Sequence, residues 1–445
     1  MKIIIAGSGQ VGSHLAKLLS FESQEITLID SNEEKLSFPN SQLDIKVIEG
    51  DCTSISILTK SNVSEADLFI GVTASESVNL TSCYIAKQLG AKKTIARISN
   101  PELIENENVD FFSLGISELI SPEILTSKEI NMVINRSEFT DPFEFDDGAL
   151  ITLGLSAKQT AIFIGKSVVE AAKIFPETHF FPISIKRGDK TIIPRGDTVF
   201  QSGDHIVFMN EPGGEDELLK LSGQNNDVIK NVMVLGGGRV GKKVAEDLSA
   251  DRINIKLVES DKERAEELAE DLENCLVIYG DGTNSKLLEE ENLDQMDAFI
   301  AVTGDSETNI MSSLIAKSKG INKTIALVDN LDYYKLTQIS GIDTLINKKL
   351  LTADSISKHV HKAEIVAISQ LDNMDAELLE FVVNEDSKVC NKVIKNLDFP
   401  RSAIIAGVIR ESKGYIVLGD FKILNNDRIV VCCLKDSIHK VEKFF

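Results

Sequence analysis

Hydrophobic positions in this chain fall into short runs separated by amphipathic stretches, and the whole alternation occurs twice. Ile3–Ala6 is an apolar run of the length of a buried strand. After a glycine-rich turn come Val11, Leu15, Leu18 and Leu19, spaced for one face of a helix. A second run, Ile26–Ile29, ends in Asp30, and further strands are predicted at Ile45–Ile48, Asp67–Thr73, Thr94–Ile98 and Asp110–Ser113. The stretch after Asp30 carries Pro39 and reads as irregular. The succession returns from Asn231, with strands ending at Glu259 and Tyr279, a helix over Lys262–Leu272, and strands at Asp297–Thr303, Thr324–Val328 and Asp343–Ile346. Each set of six strands runs into an apolar helix, Ile124–Asn135 or Leu350–His361. Beyond a finished sheet, such a helix suits packing against another subunit or against the sister half.

Two smaller segments, Phe143–Asn210 and Ile368–Phe445, are also related. Ile192–Phe208 and Tyr415–Val431 share Gly-Asp turns between strands. Each reads as a small α+β domain, and polar, glycine-containing Glu211–Asp227 reads as the central linker. The expected fold class is α/β: two tandem Rossmann-like, doubly wound parallel-sheet domains, each followed by a small α+β domain. The expected boundaries are 1–138, 139–212, 228–364 and 365–445.

The turns between the first strand and helix carry the chemistry. Gly7, Gly9 and Gly12 have the spacing G-x-G-x-x-G, and Gly236, Gly238 and Gly241 repeat it 229 residues on. In a dinucleotide site the first glycine permits the tight turn, the second lets a pyrophosphate approach the backbone, and the third lets the helix pack close to the sheet. The helix N-terminus then offers free N–H groups to phosphate. Asp30 and Glu259, at the tips of the second strands, stand where a carboxylate accepts from ribose hydroxyls. One such triplet is weak evidence; two with the same internal spacing and the same acidic end are not accidental. A shared G-D-x-T element, Gly50-Asp51-x-Thr53 and Gly280-Asp281-x-Thr283, ends the third strand, with the threonine expected to cap a helix. It is either a capped turn or, on this sheet edge, a place from which Asp51 and Asp281 reach an adenine. Thr73, Glu76 and Asn79 are matched with Thr303, Glu307 and Asn309, where helix capping and ligand contact compete as explanations.

Composition narrows the field. With 47 Lys+Arg against 69 Asp+Glu, the net charge is −22 over 445 residues. That argues against nonspecific nucleic-acid binding and against electrostatic docking on anionic lipid. No apolar run approaches the ~20 residues needed to cross a bilayer, and Met1 leads straight into the first strand, so no signal peptide is expected. The six cysteines form no C-x-x-C, adjacent Cys432 and Cys433 belong on opposite faces of a strand, and all are expected as reduced, buried thiols. The six histidines give no metal spacing, and no metal site is expected.

These paired glycine loops, strand-end acids, G-D-x-T and V-T elements and Gly-Asp-turn domains together resemble the RCK (or KTN) family, cytoplasmic nucleotide-binding subunits that regulate potassium channels and transporters. The resemblance covers essentially the whole chain, in the order RCK-N, RCK-C, RCK-N, RCK-C. It implies a homo-oligomeric ring, with a tetramer the expected count, lying on the inner face of the membrane under a membrane-embedded potassium transporter subunit. It also implies adenine nucleotides in the clefts: NAD or NADH, and ATP or ADP. By matching position, Gly7, Ser8, Gly9, Gln10, Val11 and Gly12 would hold pyrophosphate and Asp30 the ribose. Asp51 and Thr53 would lie by the adenine, with Thr73 and Arg97 on the phosphate side. In the second unit Gly236, Gly238, Arg239, Val240, Gly241, Glu259, Asp281, Thr283 and Thr303 would do the same. The two sites differ, since Gln10 is matched by Arg239 and Arg97 by Leu327. Arg239 either favours a polyphosphate such as ATP or is a solvated helix-start residue. In the second small domain Cys390-Asn391-Lys392 replaces Ile164-Gly165-Lys166, which leaves open whether both small domains share one function.

Three functions compete. A ligand-sensing regulator would shift a ring between shapes of unequal nucleotide affinity. An NAD-dependent oxidoreductase would use the same loops, but needs a substrate domain with a general acid or base. The small domains, with isolated His179 and His205, supply no convincing one. A scaffold merely stabilised by bound nucleotide is the third reading.

Overall fold

In the computed structural model, residues 1–20, 24–106, 109–137, 139–146, 148–174, 179–222, 229–329, 341–359, 365–371 and 374–445 are described. The chain divides into two units: residues 1–135 with 229–360, and 136–228 with 361–445.

The first unit holds two copies of one six-stranded sheet. The first copy comprises β1 (Lys2–Ala6), β2 (Glu25–Asp30), β3 (Lys46–Glu49), β4 (Leu68–Gly71), β5 (Lys93–Arg97) and β6 (Glu118–Ile120), paired in the order β3-β2-β1-β4-β5-β6. All pairs are parallel, with Ile5 beside Leu28 and Ile70 in register. Residues 3–6 and 68–71 are buried on both faces, which is why these strands read as unbroken apolar runs. The second copy, β7 (Asn231–Leu235), β8 (Asn254–Glu259), β9 (Cys275–Tyr279), β10 (Ala298–Ala301), β11 (Lys323–Leu327) and β12 (Thr344–Ile346), has the order β9-β8-β7-β10-β11-β12. In both, strand order reverses beside the central strand, and the crevice at that reversal is where open α/β sheets hold ligands.

Three expectations fail locally. The sixth strand of the first copy is Glu118–Ile120, not Asp110–Ser113. The latter residues turn instead, with the Asp110 carboxylate accepting from the Ser113 N–H. The residues after Asp30 are not irregular but form a helix, Glu33–Gln42, with Pro39 inside it. Proline removes the N–H that would have bonded the Lys35 carbonyl four residues back. That carbonyl is satisfied by the Ser8 hydroxyl, which donates to it at 2.9 Å from the glycine loop. The second copy has Leu268 where Pro39 stands and Gly237 where Ser8 stands. A Cβ on Gly237 would come within 2.3 Å of the Leu268 side chain. Serine goes with proline, and glycine with leucine. Finally, Thr53 and Thr283 do not cap the following helices; Ser54 and Asn284 occupy the N-cap positions.

The terminal helices exchange halves. With α1 (Gln10–Ser20), α2 (Glu33–Gln42) and α3 (Glu76–Gln88) in the first copy, its last helix α4 (Pro122–Asn135) packs on α5 (Arg239–Ala250) of the second. The last described helix of the second copy, α6 (Lys348–Lys358), packs on α1. Ile130, Val133 and Ile134 belong to one core with Val240, Val244 and Leu248, while Ile356 joins Ile5, Leu15 and Leu19. The Ser127 hydroxyl and Asn131 amide donate to the Asp247 carboxylate at 2.8 and 2.9 Å, and Asn135 donates to Asp251 at 2.8 Å. Lys348 Nζ lies 3.5 Å from the carboxylate of Glu123, a residue only 5% exposed. Of the two partners expected for these helices, the structure shows the sister half. His361, at the end of the expected second helix, lies outside the described residues.

In the second unit each small domain is a five-stranded antiparallel sheet. The first uses Thr140–Phe145, Leu150–Ser156, Phe180–Arg187, Lys190–Ile192 and His205–Asn210; the second uses Ile365–Gln370, Ala376–Val382, Ala403–Arg410, Lys413–Tyr415 and Arg428–Leu434. Numbering five strands within each, both follow the order first-second-fifth-third-fourth. A shared core joins Phe145, Leu150 and Val207 to Leu378, Val430 and Cys432. Cys433 points to the opposite face, into a cluster with Phe381 and Ile429. Burial raises the thiols of Cys83 and Cys432, and that of Cys275 to about 11, so these cysteines stay protonated. The turns at Gly203-Asp204 and at its counterpart Asn426-Asp427 are structural. Asp204, 1% exposed, takes both arms of Arg187 at 2.7 Å, and Asp427 takes those of Arg410 at 2.7 and 2.8 Å. Asn391 adopts the left-handed conformation (φ 61°) of its counterpart Gly165 (φ 78°), so the backbone survives that substitution. Within the expected linker, Glu215–Ser222 forms a helix that buries Leu218 and Leu219 in the first small domain's core. Residues 223–228 lie outside the described residues. No described helix is long and apolar enough to cross a membrane.

Candidate functional site

The site builds outward from the β1–α1 turn. Gly7 has φ +113° and Gly236 φ +105°, conformations that a side chain resists. A Cβ on Gly12 would stand 1.8 Å from the Gly7 carbonyl oxygen, and one on Gly241 would stand 1.8 Å from that of Gly236. Glycine is compulsory at both places for helix α1 or α5 to meet its strand. Gly9 and Gly238 are different, since a Cβ there meets nothing within 4 Å. Their missing side chains leave open space beside the helix start, and Gly238, the N-cap of α5, makes no side-chain cap hydrogen bond. Free N–H groups facing open space are what an anion needs.

The acidic residues hold this loop. Asp30 accepts from the Ser8 N–H at 2.7 Å through one oxygen and from the Asn32 N–H at 2.9 Å through the other. Glu259 accepts from the Gly237 N–H at 2.7 Å and from the Asp261 N–H at 2.9 Å. A carboxylate has about four acceptor sites, so each retains capacity for a ribose hydroxyl. Asp51 accepts from both the N–H and the hydroxyl of Thr53 at 2.8 Å, and Asp281 does so from Thr283 at 2.9 and 2.7 Å. These bonds hold both aspartates below the usual carboxylate range.

On the far side of the crevice, buried Asn79 locks the β4–α3 loop. Its oxygen accepts from the Thr73 N–H and hydroxyl at 2.8 and 2.7 Å, and its amide donates to the Arg97 carbonyl at 2.8 Å. Asn309 repeats this with Thr303 and the Leu327 carbonyl. Glu76 accepts from the Ser99 and Asn100 N–H groups. Its structural counterpart is Ser306, whose hydroxyl accepts from the Asp329 N–H, rather than Glu307. Asn79 and Glu76 therefore organise the rim internally.

Around the first copy these parts enclose a cleft of about 760 Å³, within the roughly 300–1,000 Å³ of small-molecule sites. Gly7, Gly9, Gln10, Val11, Asp30, Asp51, Thr73 and Arg97 line it together. Ser8, Gly12 and Thr53 serve it from behind, through the bonds and close contacts above. Sequence reasoning missed Lys35, Asp329, Lys348, Lys349 and Thr352, which also line the cleft. The last four come from the second copy, Lys348, Lys349 and Thr352 on the exchanged helix and Asp329 just beyond β11, so no spacing in the first copy signals them. Arg97 Nε is buried without a hydrogen-bond partner. In the second copy Gly236, Glu259, Asp281 and Thr303 occupy the matching places, Leu327 is buried in place of Arg97, and Arg239 is exposed at the start of α5.

Fold and clefts together define a tandem Rossmann-like chain with paired small α+β domains. Residues 3–122 and 232–348 match the TrkA-N domain, and residues 157–223 and 378–445 match the TrkA-C domain. A Trk system potassium uptake protein TrkA homolog from Methanosarcina mazei is 31% identical, with both chains covered in full. Among solved structures, the GsuK channel bound to NAD aligns with TM-score 0.62 at 16% identity, over all of this chain and 78% of that one. GsuK bound to ADP aligns with TM-score 0.51 at 15% identity, over 81% and 69%. These two likenesses bear on the fold alone. The chain belongs to the TrkA family. Its curated relatives are named as Trk system potassium uptake proteins.

Proposed function

We propose that the chain is a nucleotide-sensing regulatory subunit that controls potassium flux through a membrane-embedded Trk-type transporter subunit. In this reading NAD or NADH, and ATP or ADP, bind the two clefts. Gly7, Gly9, Gly12 and Gly236, Gly238, Gly241 carry the pyrophosphate, while Asp30 and Glu259 take the ribose hydroxyls. Asp51 and Asp281 lie by the adenine, and Thr73, Arg97 and Thr303 lie by the phosphates. The working division is four domains, 1–138, 139–212, 228–364 and 365–445, with helix Glu215–Ser222 completing the first small one. The chain assembles as a homo-oligomeric ring, a tetramer, held at the inner face of the membrane by its partner.

The observation that carries the nucleotide reading is the contrast within each glycine triplet. Gly12 and Gly241 are demanded by packing, but Gly9 and Gly238 face open space and have no packing reason to be glycine. A ligand backbone approaching the loop supplies that reason. Calorimetric titration with NADH, NAD, ATP and ADP tests it. Wild type should bind at micromolar levels; Gly9→Glu should abolish binding in the first cleft and Gly238→Glu in the second, both chains remaining folded. Absence of binding by any of the four nucleotides overturns the reading.

A further inference from the structure

We propose that Lys348 and Lys349, which belong to the second copy, are phosphate-binding residues of the first copy's cleft and give it a preference for ligands with more phosphate groups. The proposal deepens the nucleotide reading and rests on it.

Both lysines open helix α6, which packs on α1, and both line the same cleft as Gly7, Gly9 and Arg97. Neither is loose. Lys348 Nζ lies 3.5 Å from Glu123, and Lys349 Nζ lies 3.3 Å from the Asp329 carboxylate and 3.4 Å from its carbonyl oxygen. Their side chains remain 24% and 29% exposed. An ammonium has three donors, so one acidic neighbour aims the charge without exhausting it. Arg97 contributes a buried Nε with no partner, a donor that the ligand-free cleft leaves unmet.

The lining carries both signs of charge, Asp30, Asp51 and Asp329 with Lys35, Arg97, Lys348 and Lys349. The carboxylates of Asp30 and Asp51 are already bonded to loop N–H groups, on the side of the first three strands. Arg97, Lys348 and Lys349 line the same cleft, with the Asp329 carboxylate 3.3 Å from Lys349 Nζ. Lysine acts on phosphate as a compact point charge, so each added phosphate gains from this group. The second copy is not offered the same. Pro122 and Glu123, at the start of α4, stand in place of Lys348 and Lys349, and Leu327 replaces Arg97. This group of cations thus belongs to the first cleft, although its lysines are encoded in the second copy; the second cleft has Arg239 at its helix start instead.

The test uses the full chain carrying Gly238→Glu, so that only the first cleft reports, titrated with AMP, ADP and ATP. Lys349→Gln should weaken ATP binding roughly tenfold and AMP binding less than threefold, and Lys349→Arg should restore most of the loss. Lys348→Gln would strand buried Glu123, so it is made together with Glu123→Gln, and the ligand-free melting temperature reports whether the fold holds. Unchanged ATP affinity in folded Lys349→Gln overturns the proposal while leaving nucleotide binding intact. So does an equal loss for AMP and ATP, which marks a general disturbance of α6. If the Gly238→Glu chain binds none of the three, this proposal falls, and titration of the same chain with NAD and NADH decides separately whether the nucleotide reading of the first cleft falls with it.

Discussion

Pro39 and Ser8 are 31 positions apart in the sequence, yet one answers the other. The proline strips a hydrogen bond from α2, and the hydroxyl from the glycine loop supplies it. Ser8→Ala would remove the donor that satisfies the Lys35 carbonyl in this part-buried bond and should cost about 1 kcal/mol in urea unfolding. Ser8→Gly with Pro39→Leu recreates the pairing of the second copy. That double variant should be more stable than the sum of its single changes allows, and simple additivity in the double-mutant cycle would refute the coupling. The pair also shows what a linear reading loses. A proline in a predicted helix argues for a break, and nothing local announces a partner waiting in another loop. The tie of Asp51 to Thr53 was legible because its partner stands two residues away; Gly7 and Asp30 were legible through the glycine spacing and the strand-end acid. The internal ties of Asn79 were only half legible: its match to Asn309 was visible, but its reach to the end of β5 was not.

At the scale of elements, the exchanged helices decide which residues share a core. Ile356 is fully buried among first-copy residues. Ile356→Ala should therefore cost about 3 kcal/mol and reduce hydrogen-exchange protection first in β1 and β2, not in the sheet of its own copy. Protection lost mainly in β7 and β8 would contradict the exchange. The same contact contains His14 of α1, whose pKa is lowered by burial, with Asp354 opposing that shift and Lys17 adding to it. A depressed histidine binds fewer protons folded than unfolded. Its contribution to stability is thus complete above the ordinary value of 6.5 and is lost as pH falls below it. Melting temperature should drop between pH 7 and pH 5, and His14→Gln should flatten that slope; an unaltered slope would assign the loss elsewhere. Six parallel strands per copy were readable from apolar runs, apart from β6, where Asp110–Ser113 was read in place of Glu118–Ile120. The destination of α4 and α6 was not readable, because an apolar face says only that something covers it.

Across the whole molecule, everything is doubled and little is equal. Both small domains pin a turn with a two-armed Arg–Asp pair, Arg187–Asp204 after Gly203 and Arg410–Asp427 after Asn426. Asp204→Asn should cost roughly 2–3 kcal/mol, below the value for a fully buried pair because Arg187 keeps some water. Thermal unfolding of the variant would check this. The clefts diverge further than the scaffolds, in Arg97 against Leu327 and Gln10 against Arg239. Light scattering of the purified protein should return four chains per particle if the symmetric ring forms; a stable monomer would remove that part of the proposed mechanism.

The crossing of α4 and α6 has a consequence for inheritance. A single-copy ancestor could reach this arrangement only by pairing with itself, and any substitution at the head of its helix would then change both clefts together. Joined into one chain, the copies are released from that bond. A change at the codons for Lys348 and Lys349 rewrites the lining of the opposite copy's cleft. Each half of the gene thereby edits its twin, which gives two initially identical pockets a direct route to different tastes.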